Sequence, residues 1–265
     1  VAKVTKTSKK RTAQRSTVTW ETAPPTVERR TIIAEAYGDT GTGRTTWALT
    51  APPPIALIHA GEKIDGVVQQ SSTPTSDIQI YDFGDVFKGD EEEVATAAKQ
   101  KWHLLNDAVD DALTWARTVV IDTHSDAWQL LQLANFGTLN PQSKRGQFAY
   151  VTVNSVWRSF IKQFRQQELT NLVLVGQTSA EYKKSRNATR AEATGRTIRY
   201  GQKGTLTMCD VSVRTHRELM THTFTTVIEK GWYNALLEGL ELEGDMSTFA
   251  TTMSLITETD EDEWR

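Results

Sequence analysis

The chain has one cysteine, Cys209, in 265 residues. A single thiol excludes an intrachain disulfide framework and fits a reducing, cytoplasmic compartment. Cys209 falls in an apolar strand-like pattern and is expected in the core. No apolar run approaches the length of a membrane-spanning helix. The N-terminal stretch is basic but has no apolar h-region, so it does not read as a secretory signal, and the sequon at Asn187-Ala188-Thr189 loses its meaning. The five histidines, His59, His103, His124, His216 and His222, show no metal-ligand spacing. No repeat of solenoid period is present. The formal net charge is only −3, so bulk charge selects no partner. The distribution of charge says more. The first 19 residues hold no acid but carry Lys3, Lys6, Lys9, Lys10, Arg11 and Arg15. So polar a stretch cannot bury enough surface to order itself, and residues 1–22 are expected to be a flexible basic arm. Such an arm either touches nucleic-acid phosphates or keeps the chain soluble. Ala23-Pro24-Pro25 marks the linker to the core.

What is present begins with Gly38-Asp39-Thr40-Gly41-Thr42-Gly43-Arg44-Thr45. It matches the phosphate-binding loop G-x-x-x-x-G-K-[ST] except that Arg44 replaces lysine. Three glycines let backbone wrap closely round an anion. Thr31–Tyr37 reads as the strand before the loop, and Thr45 to Leu49 as the start of a helix whose amides face phosphate. The cradle is therefore assigned to Gly38, Thr40, Gly41, Thr42, Gly43, Arg44, Thr45 and Thr46. A second motif follows in Arg117-Thr118-Val119-Val120-Ile121-Asp122-Thr123. Its β-branched run fits a buried parallel strand, and Asp122 stands at its end. Two readings of Asp122 stay open: a magnesium-shell carboxylate acting with Thr45, or the cap of the next helix.

Strands and helices alternate elsewhere. Ile55–Ile58, Asp77–Phe83 and Asn171–Gln177 read as strands. Asp90 and Glu93 form a capping pattern for a helix reaching about Ala116, and further helices are expected near 126–136 and 148–168. Glu181 to Gly204 reads as a long basic loop, and loops of this length are usually functional or disordered. Thr205–Thr215 and Met220–Glu229 look like antiparallel strands. The expected domains are the arm, a core over 23–245, and an acidic tail over 246–265. Together these give an α/β, three-layer P-loop fold with a mainly parallel central sheet, late antiparallel strands and flexible termini. Ligands belong at the carboxyl ends of its strands.

On those motifs the chain resembles the RecA-like P-loop NTPases, and most of all the small phage-encoded AAA/RecA-type proteins of recombination, single-strand annealing or replication. The resemblance spans about residues 30 to 230. It implies ATP and Mg²⁺ as cofactors, with Thr45 and Asp122 as the metal residues. It implies Glu62 as the base that polarises water, Gln177 as the sensor of the γ-phosphate, and single-stranded DNA as the partner of a ring or filament of identical subunits. A host cytoplasm then follows if the chain is phage-encoded, and no membrane role does. The DNA contacts would come from Lys183, Lys184, Arg186, Arg190, Arg196, Arg199, Tyr200 and Lys203, where cations release counterions and an aromatic ring can stack on a base. Tyr182 is expected to pack beneath the loop. Lys144 and Arg145 are a second, weaker contact. A neighbouring subunit would supply a cation, with Arg214, Arg217 and Lys203 as candidates.

Arg44 complicates this. Arginine keeps the charge of lysine but replaces a compact ammonium with a planar fork, so binding is expected to survive better than turnover. The competing functions are an ATPase with a protein partner, such as a helicase loader, a non-catalytic nucleotide-binding assembly protein, and, less favoured, a small-molecule kinase.

Overall fold

The computed structural model describes residues 31–61, 64–84, 90–139, 146–183 and 192–265. The basic arm, Glu62, Lys144, Arg145, Lys184, Arg186 and Arg190 lie outside these. Nine strands and seven α-helices are found among the described residues. In chain order they are β1 (Ile33–Gly38), α1 (Arg44–Ala48), β2 (Ile55–His59), α2 (Asp65–Gln69), β3 (Ile78–Asp82), α3 (Glu91–Ala112), β4 (Thr118–Asp122) and α4 (His124–Phe136). Then come α5 (Gly146–Lys162), β5 (Asn171–Lys183), β6 (Glu192–Arg199), α6 (Thr205–Met208), β7 (Val211–Arg217), β8 (Phe224–Gly231), β9 (Glu241–Glu243) and α7 (Phe249–Thr257).

The strands lie side by side in the order β3-β2-β4-β5-β1-β7-β8-β9. From β3 to β7 neighbours are parallel, and β8 and β9 add antiparallel pairs. This is the expected three-layer α/β core. Its parallel strands read as unbroken apolar runs because both faces are covered. In β4, Val119 and Ile121 enter a core shared with α3, α4 and α5, while Val120 enters the opposite core with Trp47, Val173 and Val211. The long helix α3 forms as its sequence predicts. Asp90 Oδ1 accepts from the amides of Glu92 and Glu93 at 3.0 Å, and the Glu93 carboxylate accepts in return from the Asp90 amide at 3.2 Å. Val94, Ala98, Trp102, Leu105, Val109 and Ala112 bury one stripe of it.

Three expectations are corrected. The basic segment after Gln177 is not a long loop. β5 runs on past the core to Lys183 and pairs antiparallel with β6, forming a two-stranded ribbon whose far end lies outside the described residues. Its residues are mostly exposed, so they lack the apolar alternation that marks a strand. Thr205–Met208 is a helical turn rather than a strand, and it leaves Cys209 buried but in no strand. The segment 246–265 is not a tail. Phe249, Met253 and Ile256 of α7 and Trp264 are all buried against the face that carries α1. The acids there sit on the outer side of a packed helix and turn, so the acidic composition concealed the apolar stripe.

Candidate nucleotide site and its basic ribbon

β1 is fully buried as far as Gly38, and the chain then emerges as the loop that carries the three glycines. Gly43 has φ 89°, a left-handed conformation that glycine adopts at no steric cost, and it caps α1 without a side chain. A Cβ built there would stand 2.6 Å from the Phe224 ring. One built on Gly38 would stand 2.5 Å from the carbonyl oxygen of Thr215. The loop is thus fitted to bare backbone. Thr42 joins it to β7, with its Oγ1 2.9 Å from that of Thr215. Phe224 and Thr215 were not foreseen, because nothing local marks them. They reach the loop from strands far along the chain.

Asp122 ends β4 and is 5% exposed. Thr45 Oγ1 donates to its Oδ2 at 2.7 Å, which brings together the two expected metal residues. The carbonyl of Asp122 accepts from the Ala60 amide at 2.8 Å and lies 3.0 Å from His59 Nδ1. Burial pushes the Asp122 carboxyl above its ordinary range, against the pull of the Thr45 hydroxyl and the charges of His59 and Arg44. Thr123 Oγ1 accepts from the Asp126 amide at 3.2 Å and donates to the Asp126 carboxylate, whose pKa burial also raises. Thr123 rather than Asp122 caps α4. The glycine cradle and the hydroxyl–carboxylate pair fit a bound nucleotide and Mg²⁺. Thr45 and Asp122 would hold the ion, whose charge would polarise phosphate oxygens.

Arg44 is half-buried, and its Nη1 donates to the Gly176 carbonyl of β5 at 2.7 Å. Burial pushes its pKa down, and Asp122, Asp39 and Asp126 counter the shift. Gln177 lies mid-strand rather than at a strand end. The register places it beside Gly38, where β5 leaves the core. Three bonds tie this point to the nucleotide loop and to the residue after the Asp122 turn. Thr178 Oγ1 donates to Asp39. Ser125 Oγ accepts from the Gln177 amide at 3.2 Å and donates to the Tyr200 carbonyl at 3.0 Å.

On the ribbon, Lys183 is exposed and stands 3.4 Å from Glu181. Arg196 and Lys203 are exposed, and Tyr200 is partly so, with its hydroxyl accepting from Gln129 Nε2 at 3.1 Å. Tyr182, expected to pack beneath the segment, is 64% exposed. Arg199 turns inward instead of facing outward. Its Nη2 bonds Glu229 at 2.7 Å and Ser212 at 2.9 Å, its Nε stands 3.4 Å from Glu35, and its guanidinium lies 4.0 Å from the centre of the Tyr37 ring. Of the proposed trans cations, Arg214 pairs with Glu229 at 3.3 Å and Arg217 lies over Phe224, beside the nucleotide loop.

The family model of the AAA domain matches residues 31–234. A solved structure described as the RadB recombinase is a distant likeness, 12% identical with a TM-score of 0.45, over 81% of this chain and 87% of that one. No curated protein matches the chain. The match spans the nucleotide loop, the strand ending at Asp122 and the ribbon, and the chain belongs to the AAA domain family.

Proposed function

We propose that this protein binds ATP with Mg²⁺ and uses it to control binding of single-stranded DNA along the β5–β6 ribbon, as an oligomer serving recombination or replication. The observation that carries the reading is continuity. One strand, β5, passes beside the nucleotide loop at Gly38 and continues outward as the basic ribbon. Backbone amides of the loop would cradle phosphate, and Thr45 with Asp122 would hold the ion. Gln177 would report the terminal phosphate from its place beside Gly38. Lys183, Arg196, Tyr200 and Lys203 would meet the strand, with Lys184, Arg186 and Arg190 as further candidates. Arg199 leaves this set because its charge is spent inside the fold. Glu62 keeps its proposed role as base.

A second reading rests on one contact. Arg44 Nη1 is held by the Gly176 carbonyl, so a phosphate would have to share its fork with that tether. A chain so restrained suits a nucleotide-gated binder with little turnover. One assay separates the readings: phosphate release at low salt, with and without single-stranded DNA, by this chain and by Arg44→Lys. Stimulation by DNA in either protein supports the DNA-directed ATPase. ATP binding without turnover in both favours the gated binder, and indifference of both to DNA removes the first reading.

A further inference from the structure

A cavity of about 420 Å³ opens at the foot of the ribbon, among β6, the start of α4 and α6. None of its lining residues belongs to the glycine loop, and of them the reading above uses only Tyr200 and Lys203. Its lining includes Tyr37, His124, Ile198, Tyr200, Lys203 and Leu206, with Glu35 and Arg199 at its base. The base is dense in charge but balanced. Glu35, 2% exposed, faces Arg199, accepts from Ser212 Oγ at 3.0 Å and lies 3.3 Å from His124 Nε2. Arg199 in turn is shared with Glu229, which also pairs with Arg214. No net charge is left inside to receive an ion.

Hydrogen-bonding capacity is left over, however. His124 is 2% exposed; its Nε2 faces Glu35 at 3.3 Å, and its Nδ1 is buried with no hydrogen-bond partner. Arg199 Nε, likewise turned to Glu35 at 3.4 Å, makes no hydrogen bond. Buried polar atoms without partners are costly, so a guest that bonds them is favoured. The walls are apolar where they are open, since Ile198 is 45% and Tyr200 38% exposed. Lys203 stands exposed at the rim and makes no ion pair among the described residues. The cavity therefore asks for a neutral, hydrogen-bonding, partly apolar head joined to an anion that stays outside. A nucleotide unit of a single strand has that form, with the base within and the phosphate at Lys203.

We propose that this cavity takes one unstacked base from the strand that runs along the ribbon. The proposal rests on the ribbon being the DNA face, and the test separates the two. Fluorescence anisotropy at low salt would measure binding of labelled oligodeoxythymidine and of an abasic oligomer of equal length. The abasic oligomer keeps the phosphates and loses the bases. The expected result is binding of oligodeoxythymidine about tenfold tighter than of the abasic strand. Thr197→Trp, at an exposed lining position on β6, fills the cavity and is expected to erase that difference. Equal affinity of the parent protein for both strands overturns the cavity proposal and leaves the ribbon reading standing, as does a preference untouched by Thr197→Trp. Failure to bind either strand overturns both. An unchanged thermal melt shows that Thr197→Trp has not acted by unfolding the chain.

Discussion

Arg44, Asp122 and Glu35 show how single side chains set what this core can do. Arg44 is tethered to β5, and a lysine there has no fork with which to keep both the tether and a phosphate. Arg44→Lys is expected to raise ATP turnover by about tenfold or more, measured as steady-state phosphate release; a value no higher than the parent's removes the tether as the brake. Asp122 carries a different cost. Burial raises its pKa, so the folded chain holds a proton that the unfolded chain has released. Stability then falls as pH rises from the ordinary carboxylate range through the raised one, and Asp126 acts with the same sign. Asp122→Asn cannot ionise yet keeps an acceptor for Thr45. Without ligands at neutral pH it is expected to melt a few degrees higher than the parent and to flatten the pH profile, for a gain of about 1 kcal/mol. Its magnesium-dependent nucleotide affinity should fall about 10–100-fold in a titration. A lower melting point would mean that the carboxylate is ionised and satisfied in the fold. Glu35 has the opposite sign. Burial pushes it up, but the hydrogen bond and charge of His124, with Arg199 and Ser212, more than offset this and leave its pKa lowered. Its contribution is present at neutral pH and is lost as pH falls through the lowered pKa. Glu35→Gln, which strands Arg199 Nε and His124 beside a neutral amide, is expected to cost about 3 kcal/mol in denaturant unfolding.

The ribbon and α7 were the elements least legible in the sequence. Strands buried on both faces announced themselves, because β2, β4 and the first half of β5 each hold an unbroken apolar run. The ribbon strands pack against little, so no pattern is imposed on them, and Glu192–Arg199 reads as loop. The stripe of α7 lies in a threonine-rich segment followed by acids, and composition outweighed Phe249, Met253 and Trp264. The nucleotide loop and Asp122 were legible because each is a local pattern. The cluster of Glu35, His124, Arg199 and Glu229 was not, because four separate elements bring it together. Two measurements follow. Removing the two exposed cations of the described ribbon strands by Lys183→Ala with Arg196→Ala should lower the slope of log affinity against log salt for single-stranded DNA by about 1.4, at about 0.7 for each lost phosphate contact. An unchanged slope places the strand elsewhere. Phe249→Ala, in a side chain with no exposure, should cost about 3–5 kcal/mol of unfolding free energy. A nearly neutral result would show that 246–265 behaves as the tail its composition suggests.

Two cores share one sheet, and the nucleotide loop opens where the parallel strands end. Helices α3, α4 and α5 cover one face, while α1, α2 and α7 belong to the core on the other. The central position of β5, between β4 and β1, gives it neighbours on both sides and makes it the firmest member of the sheet. The same strand then leaves the sheet as one arm of the ribbon. The ribbon is therefore cantilevered from the middle of the fold, without an intervening hinge loop. A loop would let the outer segment swing freely and lose any small displacement at its root. Clamped along six residue pairs to β1, the strand instead would carry a twist near Gly38 directly into the paired residues from Thr178 to Lys183. That coupling belongs to the strand itself rather than to any particular side chain.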